Sequence, residues 1–324
     1  MRARESATLP RRAAGLPVPG RPLRPARLSS TGRSRLFHLV LLAPAVALGL
    51  FVIGYPLYLI IDASIRNVGL PNLAALNATP VTGANYTALT SDPLFRQALW
   101  VSLLYTLGGT IPAFLIGLGT ALLLNRHFPL RRIFRTLILL PWAVPAVVCS
   151  FLFLWILNAS YGVLNYLLLK AHLISGYIPW LASLHWSIVG VIIPTVWKSY
   201  PFFTLLILAA LQVIPKELYE AAKVDGAGQW ATFRKITWPG IQNAAYLAMV
   251  LQLLWTFREF EIIYPITAGG PANSTQTLAI YLYNEVFQFF HMGYASALGV
   301  VTIVICVILV VAMFPLLRRT LWRT

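Results

Sequence analysis

Charge is scarce in this chain. Only 10% of its 324 residues are Asp, Glu, Lys or Arg, against roughly 25% in an ordinary soluble domain. With 58% hydrophobic residues, that shortage excludes a water-facing surface and makes lipid the solvent. Cysteine is nearly absent. Cys149 and Cys306 each lie inside an apolar run, which excludes a disulfide framework or cysteine metal cluster and makes both small apolar packers. The five histidines (His38, His127, His172, His185, His291) are scattered singly and do not resemble a metal site. No Gly-x-x-x-x-Gly-Lys-Ser/Thr loop is present to cradle a nucleotide phosphate. Gly-x-Ser-x-Gly and His-Glu-x-x-His are missing too. Nothing in the sequence recommends a catalyst, a cofactor or a metal in this chain.

What charge there is sits unevenly. The formal net charge of +16 raises nucleic acid as a partner, but nine of the 25 Lys and Arg precede Phe37. No basic stripe with interleaved aromatics accompanies them, so nucleic acid is not expected. The basic residues read instead as loop charges that orient a membrane protein. A span needs about 20 apolar residues, and six segments qualify: 37–61, 98–124, 133–157, 187–213, 244–266 and 295–317. Arg258, Glu259 and Glu261 interrupt the fifth. With the N-terminus inside, twenty Lys and Arg fall on the cytoplasmic side and three (Arg66, Arg96, Lys170) outside. The expectation is an all-α membrane protein with six transmembrane helices, both termini in the cytoplasm, in a lipid bilayer.

Residues 1–36, rich in Arg, Pro and Ser, read as a disordered basic cytoplasmic tail. Ala43-Pro44-Ala45 resembles a signal-peptide cleavage site, yet the apolar run continues to Ile61 and reads as an uncleaved first span. On the outer side, Trp180 and Trp186 are expected at an aromatic belt. Ala268-Gly269-Gly270-Pro271 forms a turn, and 278–290 is expected to lie along the outer surface, diluted by Asn284, Glu285, Gln288 and His291.

Lys198 in the fourth span and Arg258, Glu259 and Glu261 in the fifth are costly in hydrocarbon, at roughly 2.5–3.5 kcal/mol each at a helix centre. One reading places them on a translocation path or its gate. The other is a buried ion pair, or snorkelling to the outer interface. Pro141, Pro145, Pro194 and Pro201 kink spans three and four, by packing or around a cavity.

The remaining charged island, Pro215 to Gly240, reads as helix, break, helix. Pro215 suits a first helical position and Glu217 favours the positive end of the helix dipole. Glu220 continues the helix, and Ala221 and Ala222 allow a close approach by another surface. Asp225-Gly226 marks a turn, with Asp225 able to cap the second helix. Phe233 and Ile236 share a face, and Pro239 punctuates the start of the next span. A polar helix pair between membrane segments is a docking element.

Glu220-Ala221-Ala222, Asp225-Gly226-Ala227, Phe233, Ile236 and Pro239 resemble the EAA motif of membrane subunits of bacterial binding-protein-dependent ABC importers. The surrounding residues resemble the carbohydrate branch, of the MalF, UgpA and SugA type. They include Tyr55-Pro56, Asn85-Tyr86, Pro141-Trp142, Tyr161-Gly162, Asn165, Trp197-Lys198, Pro201-Phe202, Ile263-Tyr264, Gly269-Gly270-Pro271 and Gly293-Tyr294-Ala295. The likeness covers nearly all of Phe37 to Arg319, an importer transmembrane domain over 37–320 with its coupling loop at 215–240. Trp238, Asn243 and Ala244 depart from the motif, away from the ATPase contact.

The resemblance implies a second permease subunit, a cytoplasmic ATPase dimer that binds ATP and Mg, and an extracytoplasmic solute-binding protein. It also implies a bacterial cytoplasmic membrane location and a sugar or related solute. Glu220, Ala221, Ala222, Asp225, Gly226 and Ala227 carry the ATPase coupling, and Gly269-Gly270-Pro271 is the candidate docking loop for the binding protein. The alternatives are a self-sufficient proton- or sodium-driven transporter using Glu259 or Glu261, and a membrane enzyme such as a lipid-linked glycosyltransferase. The enzyme would need paired carboxylates or a nucleotide site on a loop, and none is seen.

Overall fold

A computed structural model describes residues 30–321, and among them there is helix and connector but no strand. Of the tail expected over 1–36, residues 1–29 lie outside the described residues. The first helix, α1 (Ser30–Gly49), is already under way before Phe37. Contacts divide the chain into two units, Met1–Pro56 and Leu57–Thr324. In the first, α1 runs into a single π turn, Leu50–Gly54. With α2 (Tyr55–Ser64), the run Phe37–Ser64 is long and apolar enough to cross a membrane.

The second unit is organised on α4 (Pro93–Asn125) and α8 (Ser187–Val213). In lipid the hydrophobic effect does not drive helix association, so close backbone packing must. The sequence provides it on α4, where Gly109, Ala113, Gly117 and Ala121 recur every fourth residue and are all buried. A Cβ at Gly117 would lie 2.4 Å from Phe203 Cβ and 2.9 Å from the Tyr200 carbonyl oxygen. Hydrophobic side chains of α8 and of α11 (Trp238–Phe257), among them Phe203, Ile207, Leu211, Ile241 and Ala245, complete this core. The Tyr105 and Thr195 hydroxyls are hydrogen-bonded beside it.

The third expected span is not one helix. α5 (Arg131–Ala143) and α6 (Ala146–Ile156) are bent by 96° across two residues. The sequence dictates the break: Val144 precedes a proline and takes extended backbone (φ −70°, ψ 129°), because the α region is disfavoured before proline.

The fifth expected span also differs. The helix starts much earlier, at α10 (Gln229–Thr232), passes through a π turn (Phe233–Thr237) and runs on as α11 to Phe257. Pro239 therefore does not stop it. In the π turn the Trp238 amide donates to the Phe233 carbonyl five residues back, and this wider turn accommodates the amide that proline lacks. Residues 258–262 then break the helix before α12 (Ile263–Thr267). Among the described residues, four helices are long and apolar enough to cross a membrane, and the bent α5–α6 pair makes a fifth if it is one span.

Polar knots tie the connectors. In the segment containing α7 (Val163–Lys170), buried Asn165 accepts from the Trp180 indole (2.9 Å) and the Ile178 amide (3.2 Å) and donates to the Ile178 carbonyl (3.0 Å). Trp180 is thus buried, edge-on at 5.2 Å to Trp186, which is exposed. The stretch expected along a surface forms α13 (Leu278–Phe287), which buries Leu278, Ile280, Tyr281 and Glu285 against its neighbours. Glu285 is tolerated there because His291 Nδ1 sits 2.8 Å away. Asn85, in α3 (Ala84–Ser91), donates to the Ser64 and Arg66 carbonyls. Gly293, opening α14 (Met292–Leu321), leaves no room for a Cβ, which would lie 2.3 Å from the Arg66 carbonyl.

Asp92 caps α4 through the Leu94 amide (2.8 Å) and accepts from the Tyr281 and Tyr294 hydroxyls. Burial alone pushes its carboxyl up, but these hydrogen bonds outweigh it and hold the group below the usual carboxylate range.

Candidate functional site

The polar helix pair projects from the ends of α8 and α11. Its first helix, α9 (Lys216–Val224), carries Glu217 in its first turn and Lys223 in its last, both favourable to the helix dipole. Pro215 sits at the N-cap, one residue ahead of the expected position. The helix ends in a Schellman motif: the Ala227 amide donates to the Ala222 carbonyl (2.9 Å) and the Gly226 amide to that of Lys223 (3.1 Å). Gly226 supplies the left-handed residue this needs, at φ +71°. Asp225 is therefore the C-cap of α9. It does not cap the second helix, whose N-cap is Gly228.

The pair is fixed from below. Tyr219 and Thr237 share a hydroxyl hydrogen bond at 3.2 Å. The Trp230 and Phe233 rings stack at 5.7 Å. A Cβ at Gly240 would lie 2.5 Å from Ile214 Cδ1, so the end of α8 presses directly on the start of α11. The upper face is bare. Glu220, Ala221, Asp225, Gly226 and Ala227 are exposed, Ala222 is half-buried, and Val224 and Trp230 are 88% and 73% exposed. Among the described residues Glu220 has neither hydrogen bond nor ion pair. Beside the pair lies an open cleft of about 1090 Å³, lined by Arg126, His127, Tyr219, Lys223, Trp230 and Thr237 among others.

The four charges singled out within spans gather around two backbone breaks: three lie in one, and Lys198, from the middle of α8, reaches the other. Lys198 is half-buried, and its Nζ donates to the carbonyls of Val144 (2.5 Å) and Trp142 (3.4 Å) at the α5–α6 bend. Arg258, Glu259 and Glu261 lie in the 258–262 break. Glu259 accepts from the Ile262 amide (3.1 Å) and so closes the turn; Arg258 and Glu261 are exposed. Buried ion pairing does not explain them. The ion pairs among the described residues are Asp62–Arg66 and Glu285–His291.

The Gly269-Gly270-Pro271 turn is packed, not free. Gly269 is buried at φ +92°, and Thr275 closes the turn by donating its amide to the Gly269 carbonyl (3.1 Å) and its hydroxyl to that of Gly270 (2.8 Å). Among the described residues no group of three or more His, Cys, Asp or Glu is placed to hold a metal ion.

The family model described as "Binding-protein-dependent transport system inner membrane component" matches residues 113–322. The chain belongs to this family. It is a multi-pass inner-membrane transport component, and the matched region takes in both breaks and the whole polar helix pair. The permease is 38% identical over 267 residues to the "Sulfoquinovosyl glycerol transport system permease protein SmoG" of Agrobacterium fabrum, covering 82% of this chain and 85% of that one. It is 34% identical over 223 residues to the "Trehalose/maltose transport system permease protein MalF" of Thermococcus litoralis, covering 68% and 74%. Its fold is that of a chain in a bacterial ABC transporter "involved in the import of the acidic polysaccharide alginate" (TM-score 0.74, 24% identity, covering 89% and 96%).

Two ties between helices were not visible in the sequence. The Ser150 hydroxyl, with the Ala146 carbonyl of its own helix at 3.0 Å, also lies 3.0 Å from the Glu261 carbonyl and 3.2 Å from that of Ile262, so its single proton is shared between α6 and the second break. Gln252 donates to Ser199 (2.8 Å), tying α11 to α8 one residue from Lys198. A serine on one apolar helix and a glutamine on another were the available signals.

Proposed function

We propose that this chain is one of two pore-forming permease subunits of an ATP-driven importer that moves a sugar or related carbohydrate into the cytoplasm. The observation that carries the reading is the bare face of α9, rigidly mounted between α8 and α11 with an unpartnered Glu220 at its centre. Such a face is built to be covered by another protein. In this reading the cover is a cytoplasmic ATPase subunit, one of a pair that binds ATP and Mg. Ala221, Ala222 and Gly226 allow its close approach, and Glu220 supplies the polar contact. The twenty Lys and Arg on one side support six crossings with both termini in the cytoplasm, α11 forming the fifth.

An extracytoplasmic binding protein delivers the solute, with Gly270 and Pro271, the half-buried part of the turn that buried Gly269 holds in place, in its landing surface. Arg258, Glu259 and Glu261, at an irregular stretch of backbone, belong to the translocation path, since such backbone at membrane depth is tolerated only where it is buried or lines a cavity. Transport then follows from rocking of the two permease halves. The relatives named for sulfoquinovosyl glycerol and for trehalose and maltose support a glycoside as cargo.

Ala221→Cys tests the docking face. Co-expressed with its ATPase partner carrying cysteines around the cleft opposite, it is expected to form a disulfide in oxidised membranes, while a cysteine at buried Ala248 does not. Absence of any ATPase adduct at 221 would contradict the reading.

A further inference from the structure

We infer that Lys198 is a positioning residue that couples α8, and through it the polar helix pair, to the bend in the third span; this rests on the importer reading above. The bend strands backbone carbonyls. Were α5 to continue, the carbonyl of Trp142 would be bonded by the amide of residue 146. The bend removes that partner, and Pro145 has no amide to offer that of Pro141. In an apolar setting such groups must find donors. Lys198 supplies them from another helix, reaching the carbonyls of Val144 (2.5 Å) and Trp142 (3.4 Å). Its neighbour Trp197 meets Phe153 of α6 edge-on at 5.5 Å. Adjacent residues of α8 therefore hold the bend and the helix beyond it.

The far end of α5 is anchored in the same manner, Arg131 Nε donating to the Leu124 carbonyl at the end of α4. The α5 strut is thus hung at both ends on cation–carbonyl contacts. Beyond the bend, α6 reaches the second break through Ser150 and the Glu261 and Ile262 carbonyls. A continuous set of contacts leads from α9, by way of α8, Lys198 and α6, to the break that holds Glu259 and Glu261. A cation on carbonyls suits such a joint, because it brings several donors to acceptors left without amide partners.

The test uses the complete importer with its binding protein in proteoliposomes, comparing Lys198→Met and Lys198→Arg with the native chain. The quantity read is solute taken up per ATP hydrolysed. Lys198→Met is expected to assemble and hydrolyse ATP, with that ratio lowered roughly tenfold, the size of a typical coupling between sites. Lys198→Arg, which keeps charge and donors, is expected to restore it. The inference is overturned if the methionine variant stays coupled, if it fails to assemble, if uptake and hydrolysis fall in equal proportion, or if arginine does not restore the ratio. A native complex without ATP-driven uptake would instead overturn the importer reading, and this inference with it.

Discussion

Glu220→Lys is expected to lower ATP-driven solute uptake by roughly 100-fold or more, the cost of leaving a charge unpaired in a closed interface, while leaving the permease in the membrane at its normal level. The two halves of this expectation have separate causes. Glu220 is exposed and, among the described residues, bonds to nothing within the chain, so folding does not depend on it; surface changes of this kind are usually within about 0.5 kcal/mol. A contact with the ATPase, by contrast, reverses sign. Uptake in whole cells, read against a membrane immunoblot, separates the two. Normal uptake would remove Glu220 from the coupling contact, and loss of the protein would make it a folding residue.

Gly117→Leu is expected to do the opposite and remove the permease from the membrane. Gly117 is where α4 comes nearest to α8, and the first atom of any side chain would meet Phe203 Cβ at 2.4 Å, the Tyr200 carbonyl at 2.9 Å and the Thr204 amide at 3.1 Å. Two of those are backbone atoms, which cannot rotate away. Overpacking costs about 1–3 kcal/mol where side chains can yield, and more is expected here. Gly119→Leu, two residues along the same helix, is the control, because nothing lies within 4 Å of its Cβ position. Membrane level and thermal stability in detergent should fall for position 117 and hold for 119. Equal behaviour of the two would mean that the α4–α8 packing is wrong.

These two residues mark what a sequence reveals of such a protein and what it conceals. Glu220 was legible because charge is rare here: an acid in a polar island, on the side that collects the basic residues, stands out against an apolar chain. Gly117 was not. It lies within a hydropathic run, and the period-four spacing of Gly109, Ala113, Gly117 and Ala121 changes hydropathy little, so it is visible only once a partner helix is in place. The helix boundaries failed for a related reason. Proline at 145 broke a helix and proline at 239 did not, because Val144 is free to extend while the π turn at Phe233–Thr237 takes up the missing amide. Local sequence shows the missing donor but not the backbone that compensates for it.

Several residues that carry the family resemblance proved to be knots of the fold. Asn85, Asn165, Gly269 and Gly293 hold connectors by buried hydrogen bonds or by leaving no space for a side chain. Lys198, read from sequence as costly in lipid, offsets that cost with the carbonyls freed at the α5–α6 bend. The charges at the second break remain the candidates for a solute path, since two of the three are exposed and the third only closes a turn.

As an importer subunit this chain is expected to transport nothing by itself and to move solute only when an ATPase works against its α9 face. The direct measurement is solute uptake into proteoliposomes holding the purified chain alone, or the chain with its second permease, ATPase pair and loaded binding protein, each with and without internal ATP and under an imposed proton or sodium gradient. Uptake is expected only in the complete complex with ATP, indifferent to the ion gradients. Uptake by the chain alone, driven by a proton or sodium gradient, would contradict it.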